Sequence, residues 1–383
     1  MRYQMRIKAE SPLVITQNRG TGNQLDTLHS IPGTTWRGAL AQEIIGSLPD
    51  GVPPEKDPTF RSLFLEGRVR FGNLTPNGER LLPLSARVCA DHRDDHPVRD
   101  LLLLRFLGQT LPRECKDETG FGKRCDSKLT PHEGFVSIGD FDRPERKDPD
   151  VRVTAHTAIS NATLRVRDEQ FYSSMALERR TAFVGSAWAL DTSAETAFEG
   201  ACASSPWFAL GRGRTRGQGH ALLTIDGTHS APTVASEEIA LMNRPFVGRQ
   251  CLVFTVTLAS PCIVYDKWGL SRPYLLAEDI AEAAGLDAGE LAGYELKDWF
   301  SRAVRIGGWN AQAGLPKADV SAIAAGSAFL FSRPFTGDDV AREGEYNRLA
   351  GIFARVSGIG EKWSEGFGEA VFCDPIHRWK ESA

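Results

Sequence analysis

MRIKAESPLVI, Met5 to Ile15, and FTVTLASPCIV, Phe254 to Val264, follow one pattern: apolar residues at alternate positions leading into a Ser-Pro pair. A period of two marks a strand, and the Ser-Pro pair ends it in a turn. Downstream of the first copy lies GRGRTRGQG, with Gly211, Gly213, Gly217 and Gly219. Downstream of the second lies GIGEKWSEGFG, with Gly358, Gly360, Gly366 and Gly368. The glycine spacings are 2, 4, 2 and 2, 6, 2. Each loop follows a helical stretch, SAETAFEGACAS or EYNRLAGIFARV, and runs into a strand-like one, HALLTI or EAVF. A dinucleotide or P-loop site needs the opposite order, strand into loop into helix, because the helix N-terminus has to face the phosphate. The glycines therefore do not signal a Rossmann or Walker site.

A unit that opens with a strand, holds an early helix and closes with helix, glycine loop and strand fits the βαββαβ ferredoxin-like (RRM-like) plan, an antiparallel sheet with helices on one face. A chain of 383 residues exceeds what one core usually serves. The expected class is therefore α+β with two such domains, residues 1–228 and 250–383, joined by a polar linker at 229–249. The first copy carries about 100 more residues between its Ser-Pro pair and its glycine loop than the second. That surplus places a cysteine-bearing insertion at about 76–150. Two unrelated α+β domains with coincident glycine turns are the plainer alternative.

With 45 Lys plus Arg against 49 Asp plus Glu, the net charge is -4, which excludes a strongly basic surface overall. A nucleic-acid partner would have to be held by local patches. No apolar run approaches the roughly 20 residues that span a bilayer, and the strand-like start does not read as a signal peptide; the expected location is the cytoplasm. Seven cysteines, an odd number at irregular spacing, argue against a secreted disulfide framework and for reduced thiols or a metal site.

Ile31-Pro32-Gly33-Thr34-Thr35-Trp36-Arg37-Gly38-Ala39-Leu40 resembles the IPG signature of the RAMP superfamily of CRISPR proteins. The glycine loops resemble that superfamily's G-rich loop. The stretch Arg305 to Phe331, RIGGWNAQAGLPKADVSAIAAGSAFLF, resembles the second half of the type III-D member Csx-ten. The resemblance implies a Cas-five-like structural subunit of a type III effector complex. Such a subunit would grip the 5′ handle of the guide RNA, cap the backbone filament, and touch the large polymerase-like subunit and the backbone RAMP subunits.

The residues supply chemistry for that role. Thr34 and Thr35 stand before a helix expected to begin near Trp36, so their hydroxyls and the first-turn N–H groups could meet a phosphate, with Arg37 adding charge. A plain N-cap at Thr34 is the alternative. In the first glycine loop, Gly211, Gly213 and Gly217 let backbone amides approach a phosphodiester, while Arg212, Arg214 and Arg216 have no acidic neighbour in the loop. A glycine hairpin with solvated arginines is the alternative there. The second loop, with Glu361 and Glu365, would repel phosphate and is expected to be structural or to face protein; its Trp363 would stack on a base or pack on its own loop. Between them, Arg165, Arg167, Phe171, Tyr172, Arg179 and Arg180 precede Phe183-Val184-Gly185 and resemble the superfamily's basic strand and F-x-G strand. Aromatics beside arginines suit unpaired bases, and strand alternation could equally bury Tyr172.

Cys89, His92, His96, Cys115 and Cys125 lie in the insertion. Three thiols and one of the two imidazoles would saturate a tetrahedral zinc ion and leave no open position, the pattern of a structural site. Cys202, Cys251, Cys262 and Cys373 read as small buried residues. Two further function classes stay open. Asp26, with His29 nearby, falls broadly where backbone RAMP subunits carry a catalytic Asp, which would make the chain an endoribonuclease. A protein-interaction scaffold without RNA contact is the other.

Overall fold

The computed structural model describes residues 1–16, 24–92, 95–117, 124–131, 134–137, 147–159, 166–229, 234–310 and 314–377. Arg165 falls outside these, and of Arg167 only the strand position is described.

The opening stretch forms β1 (Arg2–Ala9), and its alternation is realised as burial of Tyr3, Met5, Ile7 and Ala9. It leads to α1 (Gly33–Ser47), β2 (Val69–Pro76), a hairpin of β3 (Val151–Ile159) and β4 (Val166–Leu177), β5 (Ala182–Ala189), α2 (Thr192–Ser204), β6 (Trp207–Ala209) and β7 (His220–His229). After α3 (Ser236–Asn243) come β8 (Cys251–Leu258), α4 (Ala277–Ala283), β9 (Glu295–Phe300), a hairpin of β10 (Ala303–Asn310) and β11 (Leu315–Ile323), β12 (Ala328–Pro334), α5 (Asp339–Phe353) and β13 (Ala370–Phe372).

The first sheet runs β6-β7-β1-β5-β2 and the second β9-β12-β8-β13, with antiparallel pairing throughout. Setting aside β6 and the hairpins, each sheet places its fourth strand beside its first, its first beside its third and its third beside its second. The halves match in detail. Asp191 caps α2 by accepting from Ala194 N–H at 3.0 Å, and Asp338 caps α5 by accepting from Ala341 N–H at 2.8 Å. Each hairpin returns to the turn after the opening strand, through Leu13–Leu177 and Cys262–Ile323 bridges. Each sheet has its own apolar core, one holding Met5, Trp36, Phe71 and Phe198, the other Phe254, Phe329, Phe331 and Phe353.

Two expectations change. Stretch 229–249, read as a polar linker, contains α3, whose Ile239 and Met242, with Phe246 just beyond, are fully buried in the second core. Helix α1 begins at Gly33 with Pro32 as its N-cap, not near Trp36, and no side chain caps it. Gly33 is obligatory there because a Cβ would lie 1.9 Å from the Phe71 carbonyl oxygen. The insertion, in turn, does not stand apart. Between β2 and β3 it forms short strands around a helix, Leu102–Phe106, whose Leu102 and Leu103 belong to the core of the second half. The apolar run Leu101-Leu102-Leu103-Leu104 carries in itself no sign of which half it would pack on.

Candidate functional site

The two glycine loops fold alike, in a register one step from the one their spacings suggest. Leu210 N–H donates to the Gly219 carbonyl at 2.7 Å, and Ile359 N–H to the Gly368 carbonyl at 2.8 Å. Arg212 N–H bonds the Val14 carbonyl and Glu361 N–H the Ile263 carbonyl, while Gly219 and Gly368 reach Pro12 and Pro261. The repeating unit is therefore Gly211–Gly219 against Gly360–Gly368. Gly358 has no counterpart, and Gly213 corresponds to Lys362, which adopts the same left-handed backbone at φ 56°. Gly211 and Gly360 are left-handed too, at 71° and 77°, and in either a Cβ would stand 2.2 Å from the carbonyl oxygen of the Ser-Pro turn. Both loops thus clip onto the turn that the opening strand supplies.

Their surroundings differ. In the first loop Arg212, Arg214 and Arg216 are exposed, and among the described residues none has an ion-pair partner. The second loop is pressed against the first half at Gly366, which is buried with its Cβ position 2.4 Å from the Phe71 carbonyl oxygen, while Phe367 is buried against Ile263 and Ala322 of the second half. The expectation that it faces protein holds, and the protein is its own chain.

Between the halves runs a groove of about 1360 Å³. Thr34 and Thr35 of α1 line it beside Gly211, Arg212 and Arg214 of the first loop. Across from them stand Arg305 and Lys317 of the β10–β11 hairpin and Lys362 of the second loop. Sequence reading missed this wall, because its cations are scattered along a hairpin and gain meaning only when it folds over the groove. Asp319 and Glu365 also line this wall, at 3.7 Å from Arg305 and 3.8 Å from Lys317, so these two cations are partly neutralised.

Other expected contacts distribute differently. Trp36 is fully buried; its indole N–H donates to the Gly72 carbonyl at 2.9 Å and its ring meets Phe71 edge-on, so it is a core residue with no face for a base. Arg37 turns away from the α1 N-terminus, donates to the Phe64 carbonyl and lies 5.5 Å from the centre of the Phe64 ring. Burial lowers its proton affinity, partly offset by Glu365. The Gly33 N–H is taken by Asn73 Oδ1 at 2.7 Å, so a phosphate there would meet Thr34 and Thr35 rather than the first amide. Arg216 leaves the groove and donates to Tyr172 Oη at 2.7 Å, joining the loop to β4. Arg179 is exposed and 4.0 Å from Glu10, Gly217 is exposed, and Asp26 is exposed beside Gln24, outside the groove wall.

In the insertion Cys89, His96, Cys115 and Cys125 are all buried, and their ligand atoms lie within 4.8 Å of one another. The choice between the two histidines falls on His96, with Nδ1 at 3.1 Å from Cys115 Sγ, while His92 packs beside it at 4.9 Å between ring centres. Burial pushes the Cys89 thiol up, but the backbones of His92 and Asp91 and the side chains of Ser127 and His96 outweigh it and bring it down to about 6. Burial and Asp117 push Cys115 up to about 12. This cluster could hold a metal ion. Cys202, Cys262 and Cys373 are buried among apolar residues, as expected, and Cys251 is half-buried.

The profile of the family described as CRISPR-associated protein (Cas_Cmr3) matches residues 125–374. No curated protein matches the chain. Among solved structures, a chain of the type III-B Cmr-beta complex bound to cognate target RNA and AMPPnP aligns at 14% identity over 91% of this chain and 94% of that one, TM-score 0.43. A Cas6-related protein from Pyrococcus furiosus aligns at 10% identity over 98% and 100%, TM-score 0.34, and Cmr4 at 13% over 60% and 100%, TM-score 0.27. At such scores the likenesses carry no argument. Among the described residues no helix is long and apolar enough to cross a membrane.

Proposed function

The chain belongs to the CRISPR-associated Cas_Cmr3 family, and from that premise we propose that it is an RNA-binding structural subunit of a type III effector complex. It would hold the 5′ handle of the guide RNA and cap the backbone filament, in contact with the large polymerase-like subunit and the backbone RAMP subunits. The observation that carries this is the groove, where Arg212 and Arg214, without ion-pair partners among the described residues, share a wall with the Thr34 and Thr35 hydroxyls. A sugar-phosphate strand fits that chemistry, with guanidinium groups and hydroxyls on phosphate oxygens and no base-specific site needed. Arg216, Tyr172, Arg179 and the Arg165–Arg167 segment would extend the contact along β4.

On this reading the halves are two ferredoxin-like domains, 1–228 and 250–383, the second extended back by α3, with the insertion at about 76–150; the shared strand order supports it. The III-D, Csx-ten-like placement rests on the Arg305–Phe331 pattern alone. The protein works in the cytoplasm, and its own cofactor is a structural zinc ion in the insertion. Retention of a 5′-handle RNA by the assembled complex, measured at several salt concentrations with Arg212, Arg214 and Arg216 each changed to alanine, tests the proposal. Lower retention is expected; unaltered retention at every salt would favour a pure protein scaffold.

Cleavage by Asp26 has less support, since that carboxylate is exposed and outside the groove wall. Asp26→Ala should leave target-RNA cleavage by the reconstituted complex intact. Loss of cleavage with assembly preserved would make the chain an endoribonuclease.

A further inference from the structure

The lobe that holds the cysteine cluster has only small apolar clusters, one of Leu82, Ala86 and Val136 with Ile376 of the second half, the other of Cys89, Cys115 and Cys125 with Leu129 packed against them. Three thiols and an imidazole are a poor substitute for aliphatic side chains, and a lobe this size with so little apolar interior needs a cross-link. No disulfide is formed. The four ligands also flank one element. Cys89 and His96 precede the helix Leu102–Phe106, and Cys115 and Cys125 follow it.

That helix is the strap by which the insertion grips the second half. Leu102 and Leu103 are buried in the second core, and Phe106 lies 5.7 Å from Phe246 between ring centres. Arg105 holds Asp298 on β9 through two nitrogens, with Nε to Oδ2 at 2.6 Å, donates to the Trp299 carbonyl at 2.7 Å and lies 4.1 Å from the centre of the Phe300 ring. A second tie runs from Asp100 to His377 Nδ1 at 2.9 Å and from His377 Nε2 to Thr257 on β8 at 2.8 Å. A third joins Arg80 to Asp374. These ties link an insertion rooted in the first half to the edge, centre and C-terminal end of the second.

We propose that a zinc ion bound by Cys89, His96, Cys115 and Cys125 closes the loop around Leu102–Phe106 and so locks the two halves, and with them the walls of the groove, in one arrangement. The proposal rests on the reading of the cluster as a zinc site and adds what that ion controls. Closing a loop at both ends of a short helix restricts the conformations the free strap would otherwise sample. The helix is too short to persist alone, so its docking depends on being held in place.

The test uses the full-length protein in reducing buffer. Atomic emission should find one zinc per chain, absent in Cys115→Ser and retained in Arg105→Ala. Hydrogen exchange of segments 102–106 and 295–300 should quicken at least tenfold when a chelator strips the wild type, and also in zinc-loaded Arg105→Ala, while β1 and β5 stay protected. Should Cys115→Ser fail to fold, the stripped wild type still gives the answer. Absence of zinc, with no thiolate–cobalt absorption on adding cobalt, would overturn the metal site. Zinc present but strap exchange unaltered on its removal would overturn the lock. RNA retention does not enter either measurement, so failure of the RNA proposal would appear separately.

Discussion

Gly211–Gly219 and Gly360–Gly368 share one backbone frame clipped to one kind of turn, yet the first is open and cationic while the second is closed and bears carboxylates. A frame of left-handed residues fixes where amides and side chains emerge; it does not fix what they meet. In the first half the loop meets solvent and the groove. In the second, Gly366 meets Gly33 of α1 and Phe71 of β2 while Phe367 packs with Ile263 and Ala322 of its own half, and the loop becomes part of the joint between halves. One motif thus stands open to a groove once and is built into a joint once.

Four measurements would break or sharpen that contrast. The largest effect is expected at the joint. Gly366→Ala puts a Cβ 2.4 Å from the Phe71 carbonyl oxygen on a backbone at φ 93°, and should cost about 3 kcal/mol or more in denaturant unfolding. Next, replacing Arg212, Arg214 and Arg216 together with alanine should weaken single-stranded handle RNA by about 10- to 100-fold and flatten the salt slope by about 2. Its unfolding free energy should stay within about 0.5 kcal/mol of wild type, since the three are surface residues. Gly217→Ala, at the position matching Gly366, meets nothing within 4 Å at φ 77°, so only backbone strain of about 1 kcal/mol is expected. Equal losses for the two glycine variants would show that the loops do not differ as described.

The smallest effect concerns pH. Burial lowers the proton affinity of His377, but the Asp100 carboxylate on its Nδ1 outweighs this and raises it above the ordinary imidazole value. A raised folded value means the stabilisation is complete below the unfolded value, about 6.5, and fades as pH rises through the folded one. A modest fall in wild-type stability over that alkaline-going window, absent in His377→Gln, is the expected result of thermal unfolding against pH.

Much of the fold was legible because it repeats. Period-two burial in Met5–Ala9, and helix before loop before strand, follow from local pattern alone, whereas β8 is buried on both faces from Leu252 to Leu258, its threonines included, against its sequence alternation. The loop register was not, because Lys362 occupies a left-handed position usually given to glycine, and Gly358 supplied a decoy. The arginine wall was legible as a run of like charge in one short stretch. The opposite wall was not, since Arg305, Lys317 and Lys362 converge only through tertiary folding. The burial of Trp36 was not legible, because it follows from the close approach at Gly33 that turns that face of α1 onto Phe71. The metal ligands were legible as residue types, and their convergence, with His96 chosen over His92, belongs to the buried lobe.

Leu102 and Leu103 find their shelter among residues that leave the ribosome long after they do. At ordinary synthesis rates of 5–20 residues per second, the nascent strap would wait on the order of 10 to 50 seconds before β12 exists to receive it. For the last part of that interval, on the order of 5 to 20 seconds after β7 is made, an apolar, cysteine-bearing segment hangs from an otherwise complete first sheet, so the insertion cannot dock until the second half follows.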